Sequence, residues 1–577
     1  MTVAGEGGSG KSTLVKTLVS VIRQMFQENN TALVAAPTGS ASFNGGGVTM
    51  HRLFGLGVKS SIGSMGVEKE QRLKQTFRNV ILQVFDERSM ISAENLGMID
   101  DHARKVVYHG TNTSLPFGGI PIVLMVGDDF QLPPVETCVS GSFFDKNKNG
   151  DEVDSDSVDE EEDESMRKKI KQDNVKVGNA ARCAMIKNGQ ELFKLVGRNY
   201  IKLNTCERVL KDQQVLTTIL KGVRGDCTKS ISEHNIDHLM MYHLRSDYWT
   251  PELIQQVQND ERTIHLFATN KDKDDHNWKK LRQINSPQRP VAIIKAVTNG
   301  RCRSGKKKGH FDEERMPSTT LFCVGCKVAL VGINIKPEWG LYHGAIGKVL
   351  DIVYRHTEGP HATEDATDRL PAYVMVNFPQ YCGPNMYAND YTLSDEEKME
   401  RKTWVCIPMV KGRCNNNAAC ERTYMPLALA FARTIHSFQG ASVGKTPPGQ
   451  PENTFHRIIA DPGPRKQEGN MPGLFYTLLS RATTLGEDGK LETSAILFNG
   501  TNMTPSRIRN ITKKADGNVY SKVQNLQKWV KYLNEHHMPR VANNKVEEML
   551  KWANHMMKNP IKQTELAKWT SDAVRME

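Results

Sequence analysis

The sequence lacks any apolar run that approaches the roughly 18 residues of a membrane-spanning helix, and no secretory signal peptide precedes its first motif. We therefore expect no membrane partner. It also lacks a disulfide framework, because its eleven cysteines are scattered as reduced intracellular thiols are. The 577 residues, 38% hydrophobic and 24% charged, predict a soluble globular chain of roughly three or four domains.

Charge of one sign is missing from one segment. Residues 151–164 hold ten acidic side chains and no basic one, so removing them from the net charge of +11 leaves +21 on the rest of the chain. Such an excess of positive charge favours a polyanionic partner. The alternative is a basic surface that only keeps the protein soluble. We interpret about 140–180 as a disordered acidic insertion. Its basic piece, Arg167–Lys171, fits a charge-balancing linker better than a nuclear-import signal.

The segment from Gly5 to Ser12 matches the phosphate-binding pattern G-x-x-x-x-G-K-[ST]. A possible strand precedes it and the helical pattern of Thr13–Phe26 follows, which makes a chance glycine-rich turn the weaker reading. Lys11 would supply charge to the β- and γ-phosphates, and the Ser12 hydroxyl suits Mg²⁺. The candidate nucleotide-binding residues are Gly5, Gly7, Gly8, Ser9, Gly10, Lys11, Ser12 and Thr13.

Two further apolar strands end in polar tips. Val80–Phe85 leads into Asp86 and Glu87, the pattern of a Walker B strand, in which the first carboxylate holds Mg²⁺ and the second polarises water. The strand from Ile120 to Gly127 is followed by Gln131, whose amide could sense a γ-phosphate. Each alone could be an ordinary strand with a polar cap or a proline-ended turn, but three such units in this order favour a nucleotide site.

The region from about Val324 to Tyr424 consists of short strands and glycine turns, which predicts a small inserted β-barrel. Four cysteines could in principle bind zinc there: Cys323, Cys326, Cys414 and Cys420. The offset of three residues between the first two should point their side chains to opposite faces of a strand, which disfavours zinc. Taken alone, Arg208 and Arg481 would be solvated surface arginines.

Eight segments occur in an order that resembles the petite-integration-frequency (PIF) family of superfamily-one DNA helicases, with RecD as a near relative. They are GEGGSGKS, APTGSA with TMHRLF, VFDERSMIS, GDDFQLPPV, the Arg208 segment, ATNKDKDDHN, ARTIHSFQGASV and LFYTLLSRATTL. The resemblance covers about Met1 to Phe498. It implies an α/β fold: two RecA-like P-loop NTPase domains with parallel sheets, a small β-barrel inserted in the second, and a helical C-terminal tail.

The same resemblance predicts the domain boundaries. The first RecA-like domain would span 1–200, with a wedge at about 55–68, and the second would comprise 201–330 and 425–502. The β-barrel would fill 331–424, and a basic helical extension 503–577. Nothing precedes Met1 to hold the glutamine-bearing segment with which the family recognises adenine, so we expect an incomplete N-terminus.

The resemblance also assigns roles, with ATP and Mg²⁺ as cofactors. Catalytic residues would be Lys11, Asp86, Glu87, Gln131, Arg208 and Arg481, the two arginines acting as fingers. Ser12 and Asp86 would hold the metal, and Gly440 would lie near the phosphates. Single-stranded DNA would contact Thr38, His51, Asn270, Thr434 and His436.

The function implied is an ATP-dependent 5′-to-3′ DNA helicase in repair, recombination or telomere maintenance. It would act as a monomer on single-stranded and forked DNA, in the nucleus or alternatively in mitochondria. A second hypothesis is a truncated or mobile-element-derived nucleic-acid-binding module that does not unwind. A third is a RecD-like motor subunit that requires partner chains.

Overall fold

The computed structural model of the protein describes residues 1–56, 67–107, 115–134, 176–203, 205–210, 212–224, 231–299, 316–354, 370–414, 417–446, 452–464, 467, 471, 473–486 and 490–512. Most of the predicted wedge, the acidic insertion up to residue 175 and the tail beyond Thr512 lie outside these residues. In the part of the chain that is described, no helix has the length and apolar character needed to cross a membrane.

The strands are numbered in chain order. They are β1 Thr2–Gly5, β2 Ala32–Ala36, β3 Val48–Thr49, β4 Leu82–Phe85, β5 Ile122–Gly127, β6 Tyr200–Leu203, β7 Thr263–Phe267, β8 Ala292–Lys295, β9 Val297–Asn299, β10 Thr319–Phe322, β11 Lys327–Leu330, β12 Ile346–Tyr354, β13 Pro371–Asn377, β14 Trp404–Pro408, β15 Val410–Cys414, β16 Asn417–Tyr424, β17 Leu427–Leu429, β18 Ala432–Thr434, β19 Arg457–Asp461 and β20 Ile496–Phe498.

The helices are numbered in the same way. They are α1 Lys11–Phe26, α2 Gly39–Asn44, α3 Met50–Phe54, α4 Val67–Phe77, α5 Ala93–Val106, α6 Lys176–Gly197, α7 Gln214–Arg224, α8 Glu233–Met241, α9 Pro251–Asn259, α10 Asn270–Ile284, α11 Asp395–Glu400, α12 Leu474–Leu479 and α13 Pro505–Thr512.

The first half of the chain forms a six-stranded parallel sheet in the order β3-β2-β4-β5-β1-β6. Successive residues of a strand point to opposite faces, and here both faces are covered. Val84 packs with Val15 and Val19 of α1 on one face. Its neighbour Phe85 packs with Leu96 of α5 on the other. Burial on both faces explains why these strands are continuous apolar runs.

A second parallel sheet, in the order β18-β7-β19-β20, lies in the second half. Its core includes Ile264, Ile458 and Leu497, and it also takes in Phe130 and Leu132 from the end of β5. The two halves therefore share a hydrophobic core at the tip of β5. The prediction of two parallel-sheet α/β domains is confirmed.

The inserted strands form antiparallel sheets of five strands (β14-β13-β12-β11-β17), three (β15-β16-β9) and two (β10-β8). Val328, Val349 and Val376 lie at the centre of their core. Sheet membership crosses the predicted boundaries at three places. β9 and β11 precede residue 331 but pair with β16 and β12 of the predicted insertion. β6 pairs with β1 and thus extends the first sheet past residue 200, and β17 pairs with β11 although it follows residue 424. Strand pairing, rather than a change in local composition, sets these limits.

The expected separation of Cys323 and Cys326 is wrong. A turn at Gly325, with φ of 91°, separates β10 from β11, and it brings the two buried Sγ atoms to 3.4 Å from each other. A period-two argument applies only within a strand, and these residues lie in the turn between two strands. Both are free thiols. Among the residues described, no three His, Cys, Asp or Glu side chains are close enough together to hold a metal ion.

Hydroxyl side chains begin the helices that follow strands β2 and β7. The Thr38 hydroxyl accepts the Ala41 backbone N–H at 3.2 Å, and the Thr269 hydroxyl accepts that of Asp272 at 3.2 Å. Each satisfies an amide that the first turn of a helix leaves unpaired. The helices α2 and α10 therefore start at the carboxyl edges of the two sheets.

Candidate nucleotide site and nucleic-acid interface

The predicted phosphate-binding loop connects β1 to α1. Gly8 and Gly10 have φ of 89° and 81°, in the left-handed region that favours glycine. A Cβ at Gly8 would also lie 2.1 Å from the Arg208 Cβ. Glycine at position 8 is therefore required both by the backbone conformation and by the close approach of the Arg208 segment.

Lys11 begins α1 and folds back over the loop. Its Nζ donates to the carbonyl oxygens of Gly5 at 2.8 Å and Glu6 at 2.6 Å. Burial lowers the pKa of Lys11, while nearby carboxylates, first that of Asp128, act to raise it. The ammonium group is thus held at the centre of the loop, where a bound phosphate would exchange with the two carbonyls.

Asp86 and Glu87 follow β4 directly. Burial, and then the charge of Glu87, raise the pKa of Asp86 to about 7. Glu87 has φ of 50°, which is rare for a residue with a side chain. Its Oε2 accepts from Gln439 Nε2 at 3.1 Å, so a residue of the second half contacts it.

The residues present fit Mg²⁺ chemically. A cation would offset the burial and the Glu87 charge that raise the pKa of Asp86, and Ser12 is an exposed residue on the first turn of α1. Mg²⁺ commonly takes one or two protein oxygens and completes its shell with phosphates and water. A hydroxyl and a carboxylate are such a set.

Gln131 lies just beyond β5 and is buried. Its Nε2 is 3.5 Å from Asp128 Oδ2, and its Oε1 has no hydrogen-bond partner in the part of the chain described. An unpartnered buried oxygen that lines a cleft can accept a hydrogen bond from a water molecule. The geometry therefore suits a residue that orients water.

Arg208 and Arg481 lie side by side near the phosphate-binding loop rather than on an open surface. The Arg208 Nη1 donates to the Ser480 carbonyl at 2.7 Å, and a Cβ at Gly7 would lie 3.0 Å from the same nitrogen. Burial, and then the charge of Arg481, lower the pKa of Arg208 to about 10. The interpretation of each as an isolated surface arginine is wrong.

Arg481 is 2% exposed. Its nitrogens donate to the Thr477 carbonyl at 3.1 Å, the Ser480 hydroxyl at 2.9 Å and the Ala441 carbonyl at 3.3 Å. None of these partners, within the described residues, is a carboxylate. Burial lowers its pKa, and the charge of Glu87 acts first among those that raise it. A buried guanidinium whose charge is not neutralised is well suited to an anionic ligand.

These groups line one cleft of about 1920 Å³ between the two halves. The first half contributes Lys11, Ser12, Asp86, Glu87 and Gln131, and the second half contributes Arg208, Gly440 and Arg481. Gly440 has φ of 89°, and its carbonyl accepts from Asn44 Nδ2 at 3.0 Å. It thus contacts α2 at the cleft wall.

The predicted DNA-contacting residues form two groups at sheet edges. Thr38 and His51 follow β2 and β3, which are parallel neighbours. Asn270 follows β7, Thr434 is the last residue of β18 and His436 follows it; β7 and β18 are also parallel neighbours. Each group thus lies at the carboxyl edge of its own sheet, where open α/β sheets bind ligands.

The five side chains differ in what they can offer. Asn270 is exposed, and its Oδ1 accepts from Lys273 Nζ at 3.2 Å. The Thr434 hydroxyl accepts the Ser437 backbone N–H at 3.3 Å. Burial lowers the pKa of His436 to about 4, so its ring is neutral near pH 7. Asn270, Thr434 and His436 can therefore supply hydrogen bonds and ring contacts rather than charge.

Sequence reasoning missed several residues at the cleft. Gln439 contacts Glu87, and Asp128 forms a buried cluster with Arg224 and Tyr476. The available signal was an acidic residue directly after an apolar strand and an arginine at the end of an apolar helix. Neither pattern identifies its partner, because the contacts join residues about 100 to 350 positions apart.

Comparison with known sequences finds similarity to PIF1-like helicases. Residues 1–142 match the sequence model of the PIF1-like helicases. The ATP-dependent DNA helicase PIF1 of Saccharomyces cerevisiae is 37% identical over 134 residues, which are 23% of this chain and 15% of that protein. The ATP-dependent DNA helicase Pif1 of Bdellovibrio bacteriovorus is 23% identical over 445 residues, 76% of each chain. The match thus spans less than a fifth of the yeast protein.

Solved structures show the same fold over most of the chain. The crystal structure of Pif1 helicase from Candida albicans aligns with a TM-score of 0.57 at 20% identity, covering 92% of this chain and 95% of that one. A structure of two coordinating Pif1 helicases at forked double-stranded DNA aligns with a TM-score of 0.54 at 20% identity, covering 92% and 93%. The first 142 residues are therefore similar in sequence to PIF1-like helicases, and most of the chain shares the fold of the Pif1 helicase structures.

Proposed function

We propose that this chain is an ATP-dependent DNA helicase that couples ATP hydrolysis to 5′-to-3′ movement along single-stranded DNA and to separation of a duplex. The observation that carries the proposal is the convergence of Lys11, Asp86 and Gln131 from one half with Arg208 and Arg481 from the other on a single cleft. Relatives named ATP-dependent DNA helicases support it, as does a Bacteroides Pif1 structure with single-stranded DNA and ADP-AlF₃.

The residues divide the chemistry of phosphoryl transfer between the two halves. The loop amides and Lys11 bind the triphosphate, and Glu87 and Gln131 orient the attacking water. Arg208 and Arg481 stabilise the charge that develops on the transferred phosphoryl group. Mg²⁺, held by Ser12 and Asp86, would supply charge neutralisation at the phosphates.

The two groups at the sheet edges would hold single-stranded DNA. Thr38 and His51 belong to the half that carries the phosphate-binding loop, whereas Asn270, Thr434 and His436 belong to the half that carries the arginines. ATP closes the cleft and hydrolysis reopens it, so the two groups grip the strand alternately. The inserted β-strands clamp the strand, and the segment at about 55–68 acts as the wedge.

The remaining assignments rest on the family. We propose domain limits near those predicted, shifted so that β6 joins the first domain and β8–β17 the inserted one. Monomeric action, a role in repair, recombination or telomere maintenance, and nuclear location, with mitochondria as the alternative, are part of the same proposal.

The proposal is tested by ATP hydrolysis with and without single-stranded DNA. Lys11→Ala should abolish the DNA-stimulated rate, because the ammonium group of Lys11 lies against two carbonyls of the phosphate-binding loop, where it would contact the phosphates. Lys194→Ala is the matched control, since Lys194 lies on the exposed face of α6 and pairs with Glu191. Retained hydrolysis in Lys11→Ala would contradict the mechanism. Binding of DNA by a wild-type protein that hydrolyses no ATP would favour a non-unwinding binding module.

A further inference from the structure

A buried polar cluster joins the two halves beside the proposed catalytic groups. It consists of Asp128 from the end of β5, Arg224 from the end of α7 and Tyr476 from α12. Their exposed fractions are 0%, 4% and 3%. None of the three residues has a role in the helicase mechanism proposed above. The following inference rests on that proposed mechanism.

Hydrogen bonds join all three side chains of the cluster to one another. Arg224 faces the Asp128 carboxylate with both terminal nitrogens, Nη1 to Oδ2 and Nη2 to Oδ1, each at 3.2 Å. The Tyr476 hydroxyl donates to Asp128 Oδ2 at 2.7 Å and accepts from Arg224 Nη1 at 3.1 Å. The Arg224 guanidinium also stacks over the Phe130 ring, 4.4 Å from its centroid. Paired guanidinium–carboxylate contacts of this kind fix geometry as well as charge.

The cluster determines how Gln131 presents its amide. The side chain of Asp128, as a carboxylate, accepts hydrogen bonds and donates none, so the amide of Gln131 must turn its Nε2 towards Asp128 Oδ2. That leaves the Gln131 Oε1 as the atom that faces other partners. Arg224 contacts both oxygens of the Asp128 side chain and so fixes the group towards which the Gln131 amide is turned.

The same cluster reaches the helix that precedes Arg481. Tyr476 lies one turn before Ser480 and Arg481, and Thr477 on the same helix accepts the Leu132 backbone N–H at 3.1 Å. At the start of α12, a Cβ on Gly473 would lie 2.5 Å from the Phe130 carbonyl. The tip of β5 and the start of α12 are therefore in tight contact around Arg224.

We propose that Arg224 is a positioning residue for ATP hydrolysis. Through Asp128 it fixes the Gln131 amide with its oxygen available to water, and through Tyr476 it ties that amide to the helix that carries Arg481. Closure of the cleft then brings the Gln131 amide and the Arg481 guanidinium to the nucleotide at the same time. Arg224 touches neither nucleotide nor DNA in this scheme.

The first test separates turnover from binding. We expect Arg224→Met, which keeps the length and removes the charge, to lower kcat for DNA-stimulated ATP hydrolysis about 10- to 100-fold while KM for ATP is retained. Arg457→Met is the matched control: Arg457 is a buried arginine of the second half that pairs with Asp260 at 3.2 Å, and it should leave kcat unchanged. Tyr476→Phe removes the hydroxyl that bonds to both Asp128 and Arg224, and it should lower kcat about five-fold or more.

The second test asks whether Arg224 acts through Gln131. If it does, the double variant Arg224→Met with Gln131→Ala should have the same kcat as Gln131→Ala alone. A merely structural arginine would instead multiply the two losses. If Arg224→Met does not fold, Tyr476→Phe replaces it in the same cycle.

A readout without turnover completes the design. Equilibrium binding of a fluorescent ADP, with and without aluminium fluoride, should show that Arg224→Met keeps the affinity for ADP and loses the preference for ADP–aluminium fluoride. An unchanged preference, an unchanged kcat in both cluster variants, or multiplied losses in the double variant would overturn the role of Arg224 and leave the helicase proposal standing. A wild-type protein that hydrolyses no ATP would overturn both.

Discussion

The two walls of the interdomain cleft hold their charged groups in different ways. On the first wall the groups are fixed by backbone: Lys11 is bonded to two loop carbonyls, and Asp86 accepts the Glu87 amide at 2.8 Å. On the second wall, Arg208 and Arg481 reach in on long side chains that rest on carbonyl and hydroxyl oxygens. One wall is a rigid cradle, and the other is a set of positioned charges.

This difference assigns separate tasks to the walls. A backbone cradle can bind phosphate before the halves close, because its amides and its lysine are already in place. In the proposed mechanism, the arginines on the opposite wall act only when the halves come together. Variants of the first wall should therefore lose nucleotide binding or stability, whereas variants of the second should lose turnover alone.

Replacing Arg481 should have the largest effect. We expect Arg481→Ala to lower kcat for DNA-stimulated hydrolysis by about 10³-fold or more, since arginine fingers contribute that much to phosphoryl transfer. The affinity for ADP should be retained, because the cradle is untouched. Steady-state kinetics and fluorescent-ADP titration measure the two quantities.

Arg509→Ala is the matched control, as Arg509 is an exposed arginine that pairs with Glu233. Equal loss of ADP affinity and kcat in Arg481→Ala would break the division of tasks between the walls.

The acidic pair of the first wall should give the protein a pH-dependent stability in the absence of nucleotide. The pKa of Asp86 is raised from 3.8 to about 7. Between those values the folded protein keeps a proton that the unfolded chain has lost, so stability should fall as pH rises through that window. The total change is on the order of 4 kcal/mol, because each pKa unit corresponds to about 1.4 kcal/mol. Asp86→Asn should flatten this slope in urea unfolding measured from pH 4.5 to 7.5.

The control for that experiment is Asp101→Asn, which alters a half-buried partner of Lys105 on α5. It should leave the slope unchanged. An identical slope in wild-type protein and Asp86→Asn would show that Asp86 does not cause the loss of stability with rising pH.

Gly8→Ala probes the contact between the two walls, with a smaller effect. The alanine would adopt a left-handed conformation and press its Cβ against Arg208. We expect a loss of about 1–3 kcal/mol in the free energy of unfolding, together with weaker ADP binding. Gly46→Ala is a sharp control, because Gly46 has φ of 70° and a Cβ there would meet nothing within 4 Å. Equal losses in the two variants would show that the Arg208 contact adds nothing.

The first wall could be read from the sequence because its residues follow buried strands. Lys11, Asp86 and Gln131 each come shortly after an apolar run, and the carboxyl ends of parallel strands meet at one edge of a sheet. The confirmed fold class was predicted in another way, from the resemblance of eight ordered segments to a helicase family. The chemical roles of these residues stay predictions until the variants are measured.

The second wall could not be read in the same way. Arg208 and Arg481 are single residues whose burial depends on Ser480 and on the phosphate-binding loop, some 200 to 470 positions away. The Arg224 cluster corresponds to no sequence motif. The rule that side chains alternate between faces holds only inside strands, so it failed at the turn between Cys323 and Cys326. The two arginines, the Arg224 cluster and the cysteine turn all depend on packing between residues far apart in the chain. A local sequence pattern carries no information about such packing.

The most direct measurement is the separation of a forked duplex with a 5′ single-stranded tail, compared with one that has a 3′ tail. With ATP, the wild-type protein should separate the 5′-tailed fork and not the 3′-tailed fork, and Arg481→Ala should bind both forks without separating either. Separation that proceeds without ATP, or in Arg481→Ala at the wild-type rate, would contradict a motor assembled from the two walls of this cleft.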